Sequence, residues 1–325
     1  METISAGAAG TQTKEIRTRH RRKGLLYDLR KNRIMWLMVF PVLVYFLINS
    51  YLPMVGVYFA FTKFDFNSGL FGSPFVGFEN FRMLIKLGAL EKITINTVAY
   101  NLVFIGLGNA FAVTAAILLN EIAGKFFKRI TQTVMFLPYF VSFVLLGSMA
   151  YSFFNYDSGF VNTVLQWFGM ERQDIYNTPA YWPFIITFFY IWKNLGYSTI
   201  IYLATVVNIN QDYYEAAELD GASAWQKIWS ITLPLLKPTF IILLLFAVGH
   251  IMKGQFDLFY QLVGANGMLF NATDIIDTYV YRSLKVTFDM GLANAAGLYQ
   301  SFFGFVLIMI VNFIIKKINR DYALF

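Results

Sequence analysis

The sequence has no cysteine, so it has no disulfide frame and no thiolate nucleophile or ligand. Two histidines are too few for a multi-histidine metal centre. Charge is scarce at 14%. No Gly-x-Ser-x-Gly, His-Glu-x-x-His or paired-carboxylate pattern stands out. A phosphate-cradling loop is missing too: Gly124-Lys125 is followed by Phe126, and Leu119 stands where that loop needs its first glycine. No cofactor is therefore expected on this chain and it does not read as an enzyme. If ATP is used, that chemistry belongs to another chain.

What is abundant is apolar surface. Of 325 residues 57% are hydrophobic, with 35 Phe and 20 Tyr. A soluble domain of this length could not bury so much, which points to a membrane protein. The net charge of +7 would suit a nucleic-acid partner. Much of the excess, however, lies between Lys14 and Arg33 just before the first apolar run, where a basic tail anchors a span. A signal peptide fits poorly, because its charged region would be too long and no small-residue cleavage site follows. Residues 1–33 thus read as a basic cytoplasmic tail whose first ten residues are disordered, and 34–325 as the membrane domain.

Six apolar segments are each near the roughly 20 residues a bilayer requires. They run about 34–61, 95–119, 130–154, 182–207, 239–263 and 293–315. The first carries Pro41 and Pro53 and is expected to bend or to extend beyond the membrane. With the N-terminus inside, seventeen Lys and Arg fall in inner segments and seven in outer ones. This is the asymmetry of a cytoplasmic membrane protein with both termini inside, and it puts 212–238 on the cytoplasmic side.

That loop carries the most structured polar pattern. Asp212 with Glu215 has capping-box spacing, and Gly221 supplies a left-handed helix end. Ser223 with Gln226 starts a second helix over about 224–231, which Pro234 is expected to stop. The pattern Glu215-Ala216-Ala217, Asp220-Gly221, Ile231, Leu233-Pro234 resembles the EAA motif of ABC importer permeases. Leu137-Pro138-Tyr139, Trp192-Lys193-Asn194-Leu195-Gly196-Tyr197 and Asp274 to Arg282 extend the resemblance to LplB-type permeases of the complex-carbohydrate uptake branch.

The resemblance implies an all-α six-span permease of the type I importer fold, with its coupling loop at 210–238. It also implies a second permease chain, two ATP-binding cassette subunits, an extracytoplasmic sugar-binding protein, and an oligosaccharide moved by alternating access. Membrane lipid is the remaining partner; nucleic acid is not expected.

Polar groups inside spans are costly, so each needs a reason. Phe246, His250, Lys253, Asp257 and Tyr260 recur at helical spacing, as do Tyr190, Lys193 and Tyr197. The stripes could pair internally, Lys253 with Asp257, or line a sugar pathway of aromatic faces and polar groups. Their excess of positive charge favours an acidic sugar. An alternative is a six-span channel or secondary transporter in which His250, Lys253 and Asp257 relay protons. A membrane enzyme acting on a lipid-linked glycan would need a convergent catalytic cluster, and none stands out. Gly297, Ser301 and Gly304 read as a packing stripe.

Overall fold

The computed structural model describes residues 27, 31–65 and 67–318. The expected tail, 1–33, lies almost wholly outside them. Among the described residues the chain is all helix and loop, with a single isolated bridge between Thr62 and Phe75.

The chain divides at Val55/Gly56. The first unit holds helix α1, Arg33–Phe46, followed by a π turn at Leu47–Tyr51. From Leu52 the backbone tightens to a 3₁₀-helix that runs to Phe61. The change of pitch sits at Pro53, which has no N–H for an α-helical bond. Leu37, Met38 and Tyr45 are exposed.

In the second unit two long helices form the spine: α2, Ala89–Glu121, and α5, Trp182–Val207. Buried Ala112 and Ala116 on α2 let the backbones approach, and Tyr202 on α5 is wholly buried in the same cluster. The Tyr202 hydroxyl donates to Asn109 Oδ1 at 2.6 Å. Higher up, Phe104 and Tyr190 stack at 3.8 Å. A larger core gathers Tyr100, Leu146, Trp182, Ile186 and Phe259. The Trp182 indole N–H reaches Ile175 O at 2.9 Å, so its burial leaves no donor unmet.

Four helical stretches are long and apolar enough to span a membrane: Arg33–Phe61, Ala89–Glu121, Ala224–Gly249 and Met290–Lys317. The expected third span is instead two helices, α3 (Lys125–Phe136, tightening to 3₁₀ through Phe140) and α4 (Phe143–Phe154), bent by 94°. Counted as one, they make a fifth span. Helix α5 matches its expected bounds, and its 26 residues have the length to cross, but it is not among the four stretches that are apolar enough by mean hydropathy.

The fifth expected span is also broken. A helix that begins at Ala224 runs through a π turn at Ile228–Thr232 into α8, Leu233–Gly249, taking α6 as Asp212–Leu219 and α7 as Ala224–Lys227. It stops at Gly249, residues 250–255 are non-helical, and α9 resumes at Phe256–Val263. Helix α10, Ile276–Lys285, and α11, Met290–Ile318, complete the unit.

Candidate functional site

The loop at 210–238 differs from expectation in two places. Asp212 does not cap α6. The preceding Gln211 is the capping position and makes no side-chain bond, while Asn210 Oδ1 accepts from the Asp212 N–H at 3.1 Å. Pro234 does not end the second helix either. It sits in the first turn of α8, where its missing N–H costs least, and the π turn before it absorbs the mismatch. Ser223 and Gln226 do form a reciprocal capping box, with Ser223 N–H to Gln226 Oε1 at 2.7 Å and Gln226 N–H to Ser223 Oγ at 3.4 Å.

Gly221 has φ of +77°. The Ala222 N–H reaches Ala217 O at 2.9 Å and the Gly221 N–H reaches Glu218 O at 3.0 Å, closing α6 as a Schellman motif. Lys227 pairs with Glu218 at 2.6 Å, and Tyr214 OH bonds Thr232 Oγ1 at 2.8 Å, tying α6 to the π turn. Glu215, Ala216, Asp220, Gly221 and Pro234 are exposed, and Ala217, Ile231 and Leu233 half-buried. Leu219 is 90% exposed, with Trp225 and Trp229 also outward. These side chains leave large apolar surface exposed on an otherwise polar turn.

The two helix breaks are where polar side chains enter the apolar body. At the first, 3₁₀ residues Leu137–Phe140 end α3, Val141 is extended, and Ser142 Oγ caps α4 by accepting the Leu145 N–H at 3.3 Å. The helix end leaves carbonyls without partners. Lys193 supplies them: its Nζ donates to Tyr139 O at 2.9 Å and also to Val141 O. The ammonium lies 4.8 Å from the Phe143 ring centre and is buried. It thus sits at the negative end of the α3 dipole. One turn on, a side chain at Gly196 would collide with Met135 O, so only glycine lets the α3 backbone lie against α5.

At the second break the carbonyls are met from two helices. Asn101 Nδ2 on α2 donates to Ile251 O at 2.9 Å and Lys253 O at 3.2 Å. Gln300 Nε2 on α11 donates to Met252 O at 2.8 Å. Asp277 Oδ2 on α10 accepts from the Gly254 N–H at 2.7 Å and from Gln300 Nε2 at 2.9 Å. Burial pushes the Asp277 carboxyl above the ordinary carboxylate range, against the pull of the Gly254 N–H, Gln300 and nearby Lys253. The carbonyls of Ile251, Met252 and Lys253 and the Gly254 N–H each therefore have a side-chain partner, as irregular backbone at membrane depth requires.

The break overturns the single stripe expected across Phe246, His250, Lys253, Asp257 and Tyr260, because no continuous helix joins them. His250 Nδ1 lies 2.8 Å from Phe246 O, which keeps those two together. Lys253 and Asp257 form no ion pair among the described residues; the three ion pairs there are Arg82–Glu79, Lys227–Glu218 and Arg282–Asp274.

The residues sort into separate spaces. His250 and Lys253 line an open cavity of about 380 Å³ with Gln300 and Ser301. Tyr190 and Tyr197 line another of about 170 Å³ between α2, α5 and α8. Tyr260 faces a third of about 220 Å³ beside Tyr281 and Arg282. Lys193 is turned away, onto the first break. Phe246 and Asp257 line none of the three.

Sequence reasoning missed Asp277, Gln300 and the Asp274–Arg282 pair. Arg282 grips Asp274 with both amino groups, at 3.0 and 2.6 Å, and stacks 4.0 Å over Phe270. Asp274, Asp277 and Arg282 all stood in the stretch 274–282, but its spacing alone names no partner. Among the described residues no group of three His, Cys, Asp or Glu could hold a metal.

Comparison with known proteins gives this geometry a family. Residues 108–323 match the model for the binding-protein-dependent transport system inner membrane component. The polygalacturonan/rhamnogalacturonan transport system permease protein YteP of Bacillus subtilis strain 168 is 30% identical over 321 residues, covering 99% of both chains. Protein LplB of the same organism is 33% identical over 297 residues, covering 90% of this chain and 92% of its own. The crystal structure of a bacterial alginate ABC transporter, in complex with an alginate pentasaccharide-bound periplasmic protein, contains a similar chain. Its TM-score is 0.81 at 29% identity, covering 91% of this chain and 98% of that one. The chain belongs to the binding-protein-dependent inner membrane components, the integral-membrane permease subunits of ABC importers, and is a transport subunit whose ATP hydrolysis resides in separate chains.

Proposed function

We propose that this permease forms half of the path by which an oligosaccharide crosses the bacterial cytoplasmic membrane. The other half is a second permease, with two ATP-binding cassette subunits carrying ATP and Mg on the inner face and a sugar-binding protein outside. Relatives named for polygalacturonan or rhamnogalacturonan transport and for alginate transport support the sugar class. Residues 1–33 and the C-terminal end lie on the cytoplasmic side, and 34–325 is the membrane domain.

The observation that carries the reading is the continuous helix Ala224–Gly249. It begins at the exposed Trp225–Trp229 tip and ends against the break that holds His250 and Lys253. A cassette that seats Glu215, Ala216, Gly221 and the apolar tip would move this helix as one rigid element. The floor of the cavity at its far end would shift with it, in an alternating-access step. Folding of the second loop helix into the span suits this role better than a detached knob would. A proton relay through His250, Lys253 and Asp257 is less well supported, since the three share no helix face.

The test is Gly221→Val together with Glu215→Lys in the assembled importer. Both should insert normally. Gly221→Val forces a β-branched residue to positive φ, and Glu215→Lys reverses charge on the exposed face. Sugar-stimulated ATP hydrolysis should fall at least about tenfold, the loss of one well-placed charged contact. Wild-type stimulation in both variants would rule out the coupling role.

A further inference from the structure

Four features of the cavity at the second break set it apart. It holds about 380 Å³, within the roughly 300–1,000 Å³ of small-ligand sites. Its lining includes His250, Lys253, Gln300, Ser301 and Phe305. Lys253 is exposed into it, and its ammonium makes no hydrogen bond or ion pair among the described residues. Asp277 attracts Lys253 through space but forms no ion pair with it, and its Oδ2 instead accepts from the Gly254 N–H and Gln300.

The carbonyls of 251–253 are likewise taken, by Asn101 and Gln300. None of these carbonyls bonds the Lys253 ammonium. Lys193, the other cation inside the spans, is spent on two carbonyls of the first break. The Lys253 donors therefore stay open to an anion that enters the cavity.

We propose that this cavity binds the carboxylate of an acidic sugar, with Lys253 as the counter-charge and the exposed Phe305 ring beside it to take the apolar face of the sugar ring. The site rests on the oligosaccharide reading above and narrows it to uronate-bearing chains. A neutral sugar of the same size would offer Lys253 no charge-assisted bond. Closure of the path would desolvate the pair and strengthen it.

The experiment uses the assembled importer in sealed vesicles with saturating binding protein, and two probes: trigalacturonate and its neutral counterpart, trigalactose. Lys253→Met should lower the ratio of acidic to neutral uptake by about tenfold or more, the loss of one charge-assisted contact. Lys253→Arg should restore most of it. Ser301→Asp leaves the lysine in place but adds a repelling charge to the cavity, and should lower the ratio in the same direction even if Lys253→Met fails to assemble. An unchanged ratio in Lys253→Met and Ser301→Asp, with sugar still taken up, overturns the carboxylate site and leaves the importer reading standing. Preference of the wild type for trigalactose overturns it as well. Uptake of neither sugar by the wild type overturns the oligosaccharide reading itself, and the site with it.

Discussion

The first and second helix breaks solve one problem in opposite ways. Each interrupts a segment whose composition reads as a single span, and each strands backbone carbonyls in an apolar body. At the first, one cation from one helix, Lys193, serves Tyr139 O and Val141 O and is buried in doing so. At the second, neutral amides on two helices serve the carbonyls, a carboxylate from a third holds Gly254, and Lys253 is left facing a cavity. The difference teaches that an intramembrane lysine is not by itself a sign of a pathway. What matters is whether backbone oxygens already claim its donors.

The comparison breaks most sharply at Lys193. Lys193→Met removes the only side chain that bonds both carbonyls among the described residues, and should destabilise by about 2–6 kcal/mol at 1–3 kcal/mol per unmet group. Thermal unfolding of the purified chain in detergent would show it as a large loss of midpoint. A midpoint equal to wild type would mean that water serves these carbonyls and that Lys193 is free for other work.

A smaller effect is expected at the second break, where the load is shared. Asn101→Leu and Gln300→Leu should each cost about 1–3 kcal/mol. Because both hold adjacent carbonyls of one turn, the double variant should depart from the sum of the singles by about 0.5 kcal/mol or more. Strict additivity in the same unfolding assay would show that the two amides act independently and that the turn is not one stapled unit.

The smallest effect is expected at Asp277. Burial raises its carboxyl above the ordinary range, so the ionised form is disfavoured in the folded protein. The sign follows: the folded state holds the proton more tightly than the unfolded chain, whose carboxyl titrates near about 3.9. Wild-type stability therefore declines as pH rises from there through the raised folded value. Asp277→Asn keeps an oxygen for Gly254 and removes this dependence. It should change neutral-pH stability by less than about 1 kcal/mol and flatten the profile in the acid range. A steeper profile in the variant would place the titration on another group.

The parts of this molecule that local chemistry dictates were legible in residues alone. Membrane character followed from 57% hydrophobic composition. The bounds of α5, the left-handed Gly221 and the Ser223–Gln226 box were equally visible, because helix length, positive φ and capping are settled within a few residues. The resemblance of Glu215 to Pro234 to the importer motif led to the same family that the comparisons show.

Tertiary structure decided the rest. Helical spacing from Phe246 to Tyr260 is what a continuous helix would show, yet the chain breaks at Gly249. Asn101, Asp277 and Gln300, 150, 23 and 48 residues away from their partners Ile251, Gly254 and Met252, make the break affordable. Pro234 read as a stop because a proline removes a donor, but a π turn upstream and its place in the first turn of α8 let the helix continue. Lys193 and Gly196 lie one turn apart on α5, and their purpose appears only when α3 is laid against them: the lysine meets the carbonyls and the glycine makes room for the backbone. Spacing along a chain gives which side chains share a face; which backbone groups are stranded, and who answers them, depends on neighbours that sequence distance does not reveal.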